Sequence, residues 1–353
     1  MDILQQLEID ALLSAIEESV QQELPGISIR TLFEGLLHGT VPLEFYTIVQ
    51  QVIQILCSDI TAQLGLMGQL ILLAILFALL RQLENSFSSG TIQKVSELMI
   101  QAIAVLLLLQ SGSQVIAYGQ AAAVRLAELM QLFLPVQLLL MAGLGNVQTA
   151  GLLQPSVFLV VQFAVWFFRT ILLPLVLLEF VLKLVNSFSD VYQLKGLAAF
   201  LRKLLLTGIG FSTMLFLAVL SIQGIGGHVL DRLSLRTAKY VAGAAIPVIG
   251  GTLSGLLETL ISGTLMIRNA VGMVGLLVIL LLTAVPALKL LVLYFLYSFT
   301  ASLLQPVGDS RIINLLEQTA GTYMLLFAIV ALTGVFFFFM ILILLAAGGA
   351  VLG

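Results

Sequence analysis

The chain reads as an all-α polytopic membrane protein: about six spanning helices in three hairpins, two further hairpins broken by Pro and Gly, and an amphipathic helical N-terminal region. Three observations predict this. Charged residues are only 9% of the 353, against about 25% in soluble domains, and the mean hydropathy is +1.14, so most of the chain cannot face water. Uncharged runs extend over 98–124, 129–168, 204–230, 269–288 and 318–353, each at least as long as the roughly 20 residues a spanning helix needs. Landmarks also recur: Pro135 and Pro174 return as Pro247 and Pro286, both at an offset of 112 residues. Such an offset suggests a duplicated unit, about 95–190 and 207–302.

Residues 1–65 form a separate acidic region, with nine Asp or Glu against one base, Arg30. Membrane flanks this poor in bases belong on the extracytoplasmic side. Ile9, Leu13, Ile16, Val20 and Leu24 fall at helical spacing, which predicts an amphipathic helix packing on its own protein rather than a docking helix for a partner. No basic segment followed by an apolar stretch opens the chain, so a cleaved signal peptide is expected to be missing from this form.

The transmembrane region, 66–353, is divided by a second recurrence. Asn85-Ser86-Phe87, Asn186-Ser187-Phe188 and Tyr297-Ser298-Phe299 each follow a hydrophobic segment. The hairpins are then 66–84 with 98–118, 156–185 with 204–223, and 271–297 with 322–346. Arg81 and Lys94, then Lys183, Lys195, Arg202 and Lys203, then Lys289 and Arg311 accompany the three turns. This bias predicts cytoplasmic turns and both termini outside. The connections 119–155 and 224–270, too apolar for ordinary loops, read as re-entrant or surface-lying hairpins, with two full spans each as the alternative.

Charges inside apolar segments are costly and mark functional candidates. Arg125 with Glu128 and Glu179 with Lys183 have spacings that allow pairing on one helix, while Arg169 needs a partner from another helix. In the second copy Glu258 and Arg268 stand where the first has Asn146 and Ser156, so that copy is the expected working site. Its candidate polar or hinge residues are Arg236, Lys239, Pro247, Gly250, Gly251, Glu258, Arg268 and Asn269. Arg236 and Lys239 lie where the topology predicts the outside, and read either as a solvated or lipid-phosphate-binding face or as groups that meet a partner's acids.

Enzyme chemistry has little to work with. Metalloprotease, nucleophile-elbow and phosphate-loop motifs are missing, and one cysteine, Cys57, with His38 and His228 supplies neither an internal disulfide nor a zinc cluster. No catalytic residue, cofactor or metal is therefore predicted. A net charge of −3 and no aromatic-basic patch argue against nucleic acid.

Four pieces, in order and spacing, resemble the stage III sporulation protein AE family: Leu220-Ser221-Ile222-Gln223-Gly224, Arg236-Thr237-Ala238-Lys239-Tyr240, Ile246-Pro247-Val248-Ile249-Gly250-Gly251 and Arg268-Asn269-Ala270-Val271-Gly272. The family pattern often has Asp after Ser254, where this chain has Gly255. The resemblance implies a platform or conduit subunit of the mother-cell to forespore channel, in the mother-cell membrane around the forespore. It also implies the other stage III sporulation proteins (AA to AH) and stage II sporulation protein Q as partners. Membrane lipid and a homo-oligomer complete the expected contacts. The alternative is an autonomous secondary transporter or permease for a small solute.

Overall fold

The computed structural model describes residues 3–37, 45–84, 90–143, 159–187, 195–226, 250–306 and 310–349, and these are helical apart from short turns. The helices are α1 (Ile3–Glu23), α2 (Ile29–Leu37), α3 (Phe45–Glu84), α4 (Gly90–Gly143), α5 (Leu159–Asn186), α6 (Lys195–Gly226), α7 (Gly250–Leu304) and α8 (Ser310–Gly349). The last six, α3 to α8, each contain a segment long and apolar enough to cross a membrane. Among the described residues the six predicted spans thus have six candidates, and α3 with α4, α5 with α6 and α7 with α8 pack as pairs.

The break expected in the connection 119–155 is absent as far as Gly143, since α4 runs through Pro135. In the second connection, 250–270 are continuous helix at the start of α7, which goes on through Pro286 as the span 271–297 requires. Membrane helices tolerate proline because neighbouring helices re-satisfy the freed backbone groups. One proline does perturb its helix. Pro174 has no N–H to offer the carbonyl four residues before it, and just ahead of it Phe168–Leu172 form a π turn in which the Leu173 N–H donates to the Phe168 carbonyl. The remaining parts of the two connections, 144–158 and 227–249, lie outside the described residues.

α4, α7 and α8 form the centre, with α3 against α4 and α7, and α5 against α4, α6 and α8. Glycine sets how closely these helices approach. A β-carbon at Gly334 of α8 would overlap Thr283 of α7, and one at Gly275 of α7 would overlap Phe133 of α4. In lipid, where no hydrophobic force drives helices together, such close contact supplies the dispersion energy that does. Cross-contacts put the three hairpin ends on one side. Gln101 near the start of α4 donates to the Ser187 carbonyl after α5, and Arg202 near the start of α6 lies beside Gly321 near the start of α8.

The N-terminal helices dock on this bundle. Ile9, Leu13, Ile16, Val20 and Leu24 are all buried, and α1 packs on α4 and α7, as the periodicity predicts. The α1–α2 turn uses Gly26 at φ +104°, a conformation with little cost only for glycine. Glu17 accepts from the Ile29 and Arg30 amides at 2.7 and 3.2 Å, satisfying donors that the start of α2 leaves open. Gln51 of α3 then donates to the Pro25 carbonyl at 3.0 Å, fixing the turn to the membrane part.

If glycine contact sets the α7–α8 spacing, Gly334→Val should lower the thermal midpoint of the detergent-solubilised protein, with a loss of about 1–3 kcal/mol from overpacking. Gly210→Ala in α6 meets open space and should leave it unchanged or slightly raised. Equal midpoints for the two variants would contradict the packing role.

Candidate functional site: a polar layer across the membrane helices

The predicted site residues are distributed unevenly. Arg236, Lys239 and Pro247 lie outside the described residues, while Gly250, Gly251 and Glu258 sit on the first turns of α7, within continuous helix. Asn269 is exposed. Arg268 is fully buried: its Nη2 reaches from α7 to the Leu344 and Leu345 carbonyls of α8, the latter at 2.8 Å. These carbonyls lie near the C-terminal end of α8, where the helix dipole favours a cation. Arg268 thus ties the far end of the α7–α8 hairpin.

The Glu179–Lys183 pair forms as its spacing predicts, with Glu179 fully buried and Lys183 mostly so. Two further groups join it. Arg202 of α6 lies 4.0 Å from the same carboxylate, and the Thr322 hydroxyl of α8 donates to Glu179 Oε2 at 3.3 Å. Arg202 keeps 45% of its side chain exposed, so its head snorkels while the shared carboxylate stays dry.

On the other side of α8 the layer continues. Tyr323, next to Thr322, packs edge-to-face on Tyr297 of α7 with centroids 4.9 Å apart. The Tyr297 hydroxyl is 2.8 Å from Ser111 Oγ of α4, and Ser111 donates to Gln63 Oε1 of α3 at 3.4 Å. Serine has one donor and two acceptor sites, so its proton goes to Gln63 and it accepts from Tyr297. Gln63, Ser111, Tyr297, Tyr323, Thr322, Glu179 and Arg202 therefore place a polar group from every spanning helix at one level. The layer lies across the bundle rather than along it. It can fix the register of six helices, but it does not by itself connect the two sides of a membrane.

Two charges behave differently from their sequence spacing. Arg125 does not pair with Glu128, which is exposed; it binds Glu23 at the end of α1, at 2.6 Å. Tyr118 of α4 donates to the same carboxylate at 3.2 Å, and Lys289 of α7 lies 4.2 Å above the Tyr118 ring. An acid from another element, largely shielded from solvent, outcompetes one three residues away because it is held where desolvation strengthens the attraction. Arg169 sits on the π turn of α5 and is exposed. The hydroxyl members of the layer escaped the sequence reading. Their signal was uncharged polar residues inside apolar spans, which helical spacing alone does not pair.

Residues 27–348 match the stage III sporulation protein AE family. The chain belongs to that family. A stage III sporulation protein AE from Bacillus subtilis (strain 168) is 30% identical over 280 residues, 79% of this chain and 70% of its own length. No solved structure matches. Neither the family nor this relative carries the name of an enzyme, and the family places the chain, a multi-pass membrane protein, in sporulation.

Removing one member of the buried pair should expose its cost. Glu179→Leu strands Lys183 without a counter-ion and should destabilise by about 3–5 kcal/mol, whereas Glu179→Leu with Lys183→Leu should recover most of that loss. Thermal unfolding in detergent reads both. A double variant no better than the single one would show that Glu179 acts through something other than charge pairing.

Proposed function

We propose that this chain is a non-enzymatic membrane platform or conduit subunit of the mother-cell to forespore channel required for sporulation. The observation that carries this is the family match over residues 27–348, joined to six spans tied by a transverse polar layer. Such a bundle suits a rigid assembly unit better than one that must rock open: α4, α7 and α8 are locked at glycine contacts, by Arg268 at one end and around Glu179 toward the other. In this reading the chain sits in the mother-cell membrane around the forespore. The hairpin turns face the mother-cell cytoplasm, and both termini with α1 and α2 face the intermembrane space. The other stage III sporulation proteins and stage II sporulation protein Q are its partners. Arg236, Lys239, Pro247, Gly250, Gly251, Glu258, Arg268 and Asn269 remain the proposed polar and hinge elements of the second copy, now with Arg268 joining α7 to the last turns of α8.

Deleting the chain in the organism that encodes it should abolish heat-resistant spores, and an affinity-tagged copy should co-purify with other stage III proteins. Arg236→Glu with Lys239→Glu should reduce both readouts; unchanged assembly and spore yield would remove those two residues from the site. Defined solute uptake by liposomes holding this chain alone would move the reading to a secondary transporter.

A further inference from the structure

We infer that the outward face of α4 between Gln110 and Ala121, inside a candidate membrane span, is where a second copy of this chain packs. Gln110, Ser113, Gln114, Ala117, Gln120 and Ala121 are all exposed, recur at steps of three and four, and so form one stripe. They lie inside the candidate span Leu98–Ala142. The level of Gln110, Ser113 and Gln114 is set by neighbours. Ser111 bonds Gln63 of α3, and a β-carbon at Gly112 would overlap Phe180 of α5. Both neighbours are themselves within candidate spans, Gln50–Leu76 and Leu159–Asn186. At this level α4 is therefore flanked by two membrane helices, and sliding the bundle through the bilayer does not lift Gln110 and Gln114 into water without lifting those helices too.

A lipid-facing stripe should be apolar, as it is on α6, whose exposed residues include Phe200, Leu204, Phe211 and Met214. Glutamine there is costly because hydrocarbon offers its amide no partner. The Ser113 hydroxyl satisfies itself on the Gln110 carbonyl at 2.9 Å, but the three glutamines are exposed. Each amide holds donors and an acceptor, so an identical stripe on another copy is self-complementary. Ser113, Ala117 and Ala121, spaced by four, add the small surface that lets two helix backbones approach closely enough for those bonds. Lipid supplies neither feature. The interface deepens the platform reading by giving the subunit a contact with its own kind, and rests on that reading only for its biological use.

Disulfide cross-linking of the full chain in its native membrane tests this. The native thiol, Cys57, is exposed and is first changed by Cys57→Ser. Ala117→Cys in that background should then give a covalent dimer on mild oxidation, and Met214→Cys on α6 should not. A separate variant, Gln110→Leu with Gln114→Leu and Gln120→Leu, only increases apolarity, so insertion is retained; native mass spectrometry of the purified protein should show the oligomer falling to monomer. Ala117→Cys that stays monomeric while reacting with a membrane-impermeant thiol reagent would overturn the inference in favour of a water-lined face. An oligomer unchanged by the three leucines would also overturn it. If cross-linking fails while the other stage III proteins still co-purify, the interface is lost and the channel reading stands; if cross-linking succeeds and co-purification fails, the reverse holds.

Discussion

The arrangement of the six helices depends on one buried carboxylate. Glu179 has no exposed surface, and an ion removed from water loses several kcal/mol of solvation unless it is paired and hydrogen-bonded. Its partners come from three helices: Lys183 of α5 itself, Arg202 of α6 and the Thr322 hydroxyl of α8. The third hairpin must therefore stand at one height relative to the second, because sliding α8 by a turn, about 5.4 Å, would carry Thr322 away from the acid. Apolar side chains in lipid cannot impose this. A leucine surface moved by one turn meets another leucine surface at nearly the same energy, whereas a hydrogen bond to a carboxylate is present or lost.

The glycine contacts act on the perpendicular coordinate. Gly334 against Thr283 and Gly275 against Phe133 determine how near the helices come, and the polar groups determine their register. Each helps the other. Close approach excludes water and lipid from Glu179 and Tyr297, strengthening their bonds, and the bonds prevent the rotation that would replace glycine with a larger residue at the contact. Gly321 serves both purposes: a β-carbon there would come within 3.2 Å of Arg202 Nη1, so a bare backbone leaves the guanidinium room to lie along α8 toward the carboxylate.

Much of this was legible in the sequence, and what was not failed for a physical reason. Span number, hairpin order and the Glu179–Lys183 pair follow from runs of apolar residues and from a spacing of four, which are local properties. The helical face of α1 was readable for the same cause. Arg202, Thr322 and Tyr297 were not, because their partners are 23 to 186 residues away in sequence and nothing in a local pattern encodes which helix lies opposite. Arg125 shows the same limit in sharper form. Its neighbour Glu128 satisfies the spacing rule, yet the chosen acid is Glu23, brought there by burial of Ile16, Val20 and Leu24 on α1. Of the proposed second-copy residues, only Arg268 acquires a described contact, and that contact ties α7 to α8.

Two prolines show how packing decides what a lost backbone donor does to a helix. Pro174 and Pro286 occupy matching positions of the proposed repeat, and each removes one backbone donor. In α5 the loss coincides with a π turn that carries Arg169 to the surface. In α7 the helix continues through Pro286, beside the stretch where Thr283 is pressed against Gly334 of α8. The difference fits their surroundings. α7 is clasped along its length by α8, so its backbone has little freedom to widen a turn, while α5 has exposed positions Trp166, Arg169 and Thr170 around the π turn and can relax outward. A helix at the rim of the bundle takes up the defect as a local bulge, and one at the centre takes it up without breaking. The two prolines thus differ in effect according to the packing each meets.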